Sequence, residues 1–142
     1  MNQNVEDEAA AGAAARATCD VSTLRGTYLF ADHGVYAPTG KQFASAGYAY
    51  LDGNGNIHGV YSINFDGQVT RKEKFSGTYT VKADCTGRST FPGDVEYKYD
   101  LFIDPGGDMF TRVQTKPRRS EVVSTVEKRV TLQRVTLQRV GD

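Results

Sequence analysis

The chain has no tryptophan, and only two methionines, two histidines and two cysteines in 142 residues. Two cysteines cannot build a structural zinc site alone, and no histidine pair stands near them at ligand spacing. An excess of charge is also missing. Seventeen basic residues balance seventeen acidic ones, so no global field favours nucleic acid or an anionic membrane surface. No apolar run approaches the roughly 18 residues of a membrane helix. The spaced signatures of common catalysts are absent as well: there is no phosphate loop, no G-x-S-x-G and no H-E-x-x-H. "GNGNIHG" is followed by a hairpin pattern rather than a helix. "DGNGN" lacks the later glutamate and the flanking helices of a calcium loop. The sequence therefore calls for no metal and no cofactor.

Glycine, tyrosine and phenylalanine are plentiful, at fifteen, eight and seven residues. That composition suits short strands and tight turns. Residues 1–18 are polar, then alanine-rich, and read as a disordered or loosely helical arm. The stretch Glu6–Thr18 has no basic start and no leucine-rich centre, so it does not read as a signal peptide. A signal removed ahead of this numbering and an intracellular protein both stay open. A barrel domain is expected over 19–135, with a frayed tail over 136–142. The tail carries an exact five-residue repeat, "VTLQRVTLQR" (Val130–Arg139). Five is odd, so the second copy would turn each side chain to the opposite face of a strand.

From Thr23 onward, alternation with period two dominates and turn signals recur about every ten residues. Eight strands follow, at 24–34, 42–51, 57–65, 68–83, 88–91, 95–103, 109–115 and 121–130. All connections are short, which predicts an antiparallel meander. A hairpin centred on Asn54 sets Leu51 opposite Ile57, Ala49 opposite Gly59, Gly47 opposite Tyr61 and Phe43 opposite Phe65, all on one face. Carried through a turn at Gly67, that face receives Val69, Arg71, Glu73, Phe75, Gly77, Tyr79 and Val81. Later turns add Phe91, Val95, Tyr97, Tyr99, Leu101 and Ile103, then Met109, Thr111 and Val113. Tyr28, Phe30 and Asp32 join from the first strand. A sheet with one apolar face and no covering helix buries that face by closing on itself. The fold class expected is all-β, a single antiparallel eight-stranded up-and-down barrel. Inward glycines such as Gly26, Gly47, Gly59 and Gly77 permit the coiling that closure needs.

Buried hydroxyls need partners, so a core that only required filling would use Phe, Leu and Ile instead of this many tyrosines. Two explanations stand: a lumen with polar contents, or tyrosines bonded to each other and to backbone. The inward charges Asp32, Arg71 and Glu73 must be paired or lie near a mouth. An Arg71–Glu73 ion pair at the rim is one reading, and a ligand anchor the other. His58 falls outward opposite Tyr50, and neither histidine has a serine or cysteine placed beside it as a nucleophile. Cys19 and Cys85 stand just outside strands. A disulfide between them is the sharper reading, worth about 2–4 kcal/mol, with two reduced thiols as the alternative. The disulfide favours an oxidising compartment, secreted or periplasmic; a cytoplasmic location is the alternative.

The stretches "GTYLF" (Gly26–Phe30), "GYAYLDGNGNIHGVY" (Gly47–Tyr61) and "FSGTYTV" (Phe75–Val81) carry a resemblance. In pattern, from about Leu24 to Val130, the chain resembles eight-stranded barrels of the allene oxide cyclase and dirigent type, including bacterial spirotetronate-cyclase-like barrels. The resemblance implies a largely apolar lumen that folds a flexible substrate and guides ring closure or coupling. No catalytic residue of those families carries over onto a matched motif. Lipocalin-like carriers share the general shape, but they usually open on Gly-x-Trp, which this chain lacks.

The expected function is small-molecule binding in the lumen. As an enzyme the chain would be a cofactor-free cyclase or isomerase of secondary metabolism, acting on a hydrophobic substrate, with Glu73 and Tyr61 as catalytic groups. The ligand contacts expected are Tyr28, Phe65, Arg71, Phe75, Tyr79, Tyr97, Tyr99 and Met109. A non-enzymatic secreted carrier or a structural domain is the alternative. The partner expected is a hydrophobic small molecule, not nucleic acid or membrane, and an assembly of identical subunits is compatible with the sequence.

Overall fold

The computed structural model describes residues 18–131. The expected arm before Thr18, residues 132–135, the tail and most of the repeat lie outside the described residues. The strands are β1 (Arg25–Tyr36), β2 (Lys41–Asp52), β3 (Asn56–Phe65), β4 (Gln68–Val81), β5 (Thr86–Phe91), β6 (Tyr97–Ile103), β7 (Met109–Lys116), β8 (Glu121–Val122) and β9 (Ser124–Arg129). From β1 to β7 each strand pairs antiparallel with the next. β7 then pairs with β9, and β9 returns to β1. Eight strands thus close an antiparallel barrel. The short ninth, β8, continues the register of β9: Val122 faces Val35 as Val126 faces Ala31.

The hairpins show why the pairing is so regular. Asp66 and Gly67 both take left-handed backbone angles, with φ of 50° and 92°. That is the pattern of a two-residue turn whose twist matches its strands, and it sets Phe65 opposite Gln68. In the β2–β3 turn, the Asp52 carboxylate accepts from the backbone N–H groups of Asn54 and Asn56 and from the Asn56 side chain. Those bonds pull the Asp52 pKa down. They also commit the "DGNGN" carboxylate to its own turn. Inside the barrel, a side chain on Gly59 would stand 2.1 Å from the Tyr48 carbonyl and 2.6 Å from the Phe75 ring. Only glycine lets strand and ring approach so closely.

The interior has two halves. At the end where β1 begins and β2 ends, Leu24, Tyr28, Leu51, Ile57, Tyr79, Leu101, Ile103 and Phe110 form a solid core. A 3-10 turn at Val21–Thr23, capped by Asp20, closes this end. Its tyrosines bond to backbone. Tyr28 donates its hydroxyl to the Gly107 carbonyl. Tyr79 donates to the Leu24 carbonyl at 2.7 Å and accepts from the Gly53 N–H at 2.8 Å. The Cys19–Cys85 disulfide lies at the same end, tying the segment before β1 to the β4–β5 turn. Phenylalanine at position 28 keeps the ring but strands a buried carbonyl. Tyr28→Phe should therefore lower the unfolding free energy by roughly 1–3 kcal/mol in urea denaturation. A loss within measurement error would contradict this reading of the closed end.

Candidate functional site

The other half is hollow. A cavity of about 240 Å3 begins on top of the solid core, where Ala49, Leu51, Ile57, Leu101 and Phe110 form its floor. Aromatic walls rise from it: Phe30 of β1, Phe43 of β2, Tyr61 of β3, Phe75 of β4, Phe91 of β5, and Tyr97 and Tyr99 of β6. Their rings meet mainly edge to face. Phe75 lies 6.2 Å from Phe30 and 5.7 Å from Phe91, and Phe91 lies 5.7 Å from Tyr99, within the usual range of aromatic pairs. At the end where β1 finishes, the lining residues Tyr61, Ile63, Tyr97 and Glu121 are only partly buried, so the cavity reaches the surface there.

One wall is charged. Arg112 of β7 donates from Nε to Glu127 of β9 at 2.7 Å and from Nη2 to Asp32 of β1 at 3.1 Å. Its side chain is 11% exposed, and those of Asp32 and Glu127 are 7% and 6% exposed. The guanidinium carbon also lies 5.3 Å from the Phe30 ring centre and 4.7 Å from that of Tyr99. Asp32 further accepts from Thr125 Oγ1 at 2.9 Å and from the Ser45 hydroxyl. Arg112 is thus fixed by carboxylates at its edge and by rings at its faces, as a buried guanidinium must be.

The charges do not balance. Asp32, Glu121 and Glu127 line the cavity against a single arginine. Burial disfavours the charge on Arg112, but Glu127, Tyr99 and Asp32 more than offset this and hold it protonated. Burial pushes the Glu127 carboxyl above the ordinary carboxylate range, and Arg112 only partly opposes it. Glu121 is pushed up by burial and then by Asp32. The Tyr99 phenol rises to about 12, chiefly through burial, and burial raises Tyr61 and Tyr97 in the same direction.

Two polar atoms of the lining residues, on different strands and with no surface open to the cavity, lack partners. Ser89 Oγ and Glu127 Oε1 are buried without a hydrogen bond, on residues only 2% and 4% exposed, and both residues line the cavity. Such atoms are rare in a closed core because each costs about 1–3 kcal/mol.

Of the contacts expected from sequence, Tyr61, Phe75, Tyr97 and Tyr99 line the cavity. Tyr28 and Tyr79 belong to the solid end instead. Phe65 stacks on Phe43 with ring centres 6.5 Å apart, next to Tyr36. Glu73 pairs with Tyr61 as expected, but its side chain is exposed. Arg71 does not point inward. A bulge sets Arg71 and Lys72 together against Ser62; Lys72 takes a φ of 54° and donates its N–H to the Ser62 hydroxyl. That extra residue breaks the alternation. Both Arg71 and Glu73 are exposed, and among the described residues no ion pair joins them. Met109 is corrected too. Ile103 pairs with Phe110, so the loop between them centres one half-step later than the sequence pattern places it. Met109 and Val113 therefore face outward, at 37% and 40% exposure, and Phe110 and Arg112 face the interior.

The same shift explains the group that sequence reasoning missed. An inward Thr111 and Val113 hid Arg112, and Glu121 and Glu127 drew no attention on a strand whose two faces read alike. Asp32 was the available signal. An inward carboxylate requires a cation, and with Arg71 set against Glu73 the alternation offers none to Asp32.

No family model, curated protein or solved structure matches the chain.

Proposed function

We propose that the barrel binds a small, largely apolar molecule in its hollow half. The observation that carries this reading is the cavity of about 240 Å3 itself, walled by aromatic rings above the solid core and reaching the surface where β1 finishes. A void of roughly 150 Å3 lined by apolar side chains takes benzene, and drug-sized pockets begin near 300 Å3. The volume therefore suits a molecule of one or two rings. Aromatic walls supply the apolar contact, and the partly buried lining residues Tyr61, Tyr97 and Glu121 supply the polar points that orient a ligand. The disulfide supports a working place in an oxidising compartment.

Ser89→Leu tests the reading without attacking the charged wall. Leucine fills part of the cavity and removes a hydroxyl that has no partner. The unfolding midpoint should stay level or rise, and the affinity for a neutral one-ring probe, 2-phenylethanol, should fall at least about tenfold as the space closes. Equal affinity in wild type and variant, or no saturable binding to wild type, would overturn the reading.

A second reading, a cofactor-free cyclase or isomerase, is favoured by one observation. Burial pushes the Glu121 and Glu127 carboxyls above the ordinary carboxylate range, and a carboxyl shifted in that direction beside an aromatic cavity is suited to general acid chemistry. In that reading the walls hold the substrate near its reactive conformation, Tyr61 assists by hydrogen bonding, and the acid role expected of Glu73 passes to Glu127 and the partly buried Glu121. This is also what the resemblance to cyclase barrels suggests.

A further inference from the structure

The inference that follows rests on the ligand-binding reading and names the group of the ligand that the barrel recognises. We propose that the hollow half takes an uncharged carbonyl compound, an apolar ring-sized body with a carbonyl oxygen, and that Nη1 of Arg112 donates to that oxygen at the foot of the cavity.

Arg112 lines the cavity, and its donors are only partly used. Nε goes to Glu127 at 2.7 Å and Nη2 to Asp32 at 3.1 Å. No acceptor among the described residues takes Nη1. Nor is that nitrogen sealed in protein. The fully buried side-chain atoms without a partner, among the described residues, are Ser89 Oγ, Gln114 Oε1 and Glu127 Oε1. Nη1 is not one of them, so it keeps open surface on a residue of the cavity lining. The register places it low. Arg112 pairs with Leu101, and Phe110 stands two positions before it on the same face; both belong to the floor. The Phe30 and Tyr99 rings lie against the guanidinium and, with the two carboxyls, fix the direction of the remaining donor.

The spare donor selects the ligand group. A guanidinium nitrogen donates and never accepts, so the ligand must bring an acceptor. A carboxylate is commonly received by two nitrogens of a guanidinium at once. Here Nε and Nη2 already hold Glu127 and Asp32. A ligand carboxylate would be left with Nη1 alone and would stand as a third carboxyl group around one cation. Its attraction to Arg112 is then largely offset by Asp32 and Glu127, most of all where water is excluded. An uncharged carbonyl oxygen accepts from Nη1 without that repulsion. The bond is to a charged donor in a poorly hydrated site, and both conditions strengthen it. The body of the molecule meets Phe75, Phe91 and Tyr97 above.

Acetophenone, benzoate and ethylbenzene have nearly one shape and test this at neutral pH. By calorimetry, acetophenone should bind wild type at least about tenfold tighter than benzoate. Difference infrared spectroscopy should show the carbonyl stretch of bound acetophenone at or below its frequency in water, the mark of a strong hydrogen bond. The triple change Arg112→Met, Asp32→Asn, Glu127→Gln removes the donor together with its charged partners. There the ratio of acetophenone to ethylbenzene affinity should fall at least about fivefold, and the stretch should rise toward its value in hydrocarbon. The wild-type measurements decide the matter by themselves even where the variant folds poorly. A wild-type stretch at the hydrocarbon value, or benzoate binding as tightly as acetophenone, would overturn the carbonyl assignment and leave the ligand site standing. An unchanged affinity ratio in the folded variant would overturn it as well. Failure of both acetophenone and ethylbenzene to bind wild type would remove the ligand site itself.

Discussion

Replacing Arg112 with methionine is expected to cost the barrel about 3–5 kcal/mol, the usual penalty for removing one partner of a buried charge cluster. Methionine can follow the path of the arginine stem between Phe30 and Tyr99, so lost packing is the smaller part. The larger part falls on Asp32 and Glu127, whose side chains are 7% and 6% exposed and would face each other without a cation. Urea denaturation should show the loss as a lower midpoint with an unchanged slope. The triple change Arg112→Met, Asp32→Asn, Glu127→Gln removes the charges together and should recover most of the stability, because well-packed uncharged replacements of buried ion clusters are often neutral. A single-variant cost below about 1 kcal/mol would be the figure for an exposed ion pair. It would contradict the buried cluster.

Removing the disulfide should have a comparable effect. Cys19 and Cys85 are 66 positions apart, and a closed loop of that length is worth about 4 kcal/mol on chain-entropy grounds. The bridge also holds a segment with few other ties. The Cys19 N–H donates to the Ala83 carbonyl at 3.2 Å, and the capped turn at Val21–Thr23 follows at once. Cys19→Ala with Cys85→Ala should therefore loosen the plug at the solid end as well as lower the midpoint. The hollow half should keep its shape in whatever fraction stays folded. Mass spectrometry of non-reduced peptides first establishes the bridge. A midpoint that does not move on reduction, with both thiols then shown to react, would contradict the expected stabilisation.

Much of this architecture could be read from the sequence because most of its turns are symmetrical and its alternation is strict. Centring a hairpin on Asn54 pairs Leu51 with Ile57, Ala49 with Gly59 and Phe43 with Phe65, and those pairs are present. The turn at Gly67 failed only where β4 bulges. Lys72 carries the left-handed angle that makes the bulge, and a lysine gives no warning of that conformation. The loop between Ile103 and Phe110 failed for another reason. Its two adjacent glycines allow either of two centres, and apolar periodicity chose the wrong one. Met109 and Val113 are apolar but face outward, whereas Arg112 is charged but faces inward. A polar wall inside a barrel inverts the signal that periodicity reads. For the same reason the hollow half was the less legible half. The tyrosines divided too: Tyr28 and Tyr79 satisfy their hydroxyls on backbone, and Tyr61, Tyr97 and Tyr99 face the cavity. Bonding to backbone therefore accounts for the tyrosines of the solid end.

The central claim is that the hollow half is a binding site and not a packing defect. Intermolecular nuclear Overhauser contacts between saturating 2-phenylethanol and the isotopically labelled protein test it most directly. The probe is neutral, so the result does not depend on the ligand's charge. The account predicts saturable contacts from the probe's ring to the rings of Phe75, Phe91 and Tyr99 and to the Ile63 methyl groups, and their loss in Ser89→Leu. Contacts confined to outward-facing residues such as Leu29 and Phe102, or no contacts at saturating probe, would contradict it.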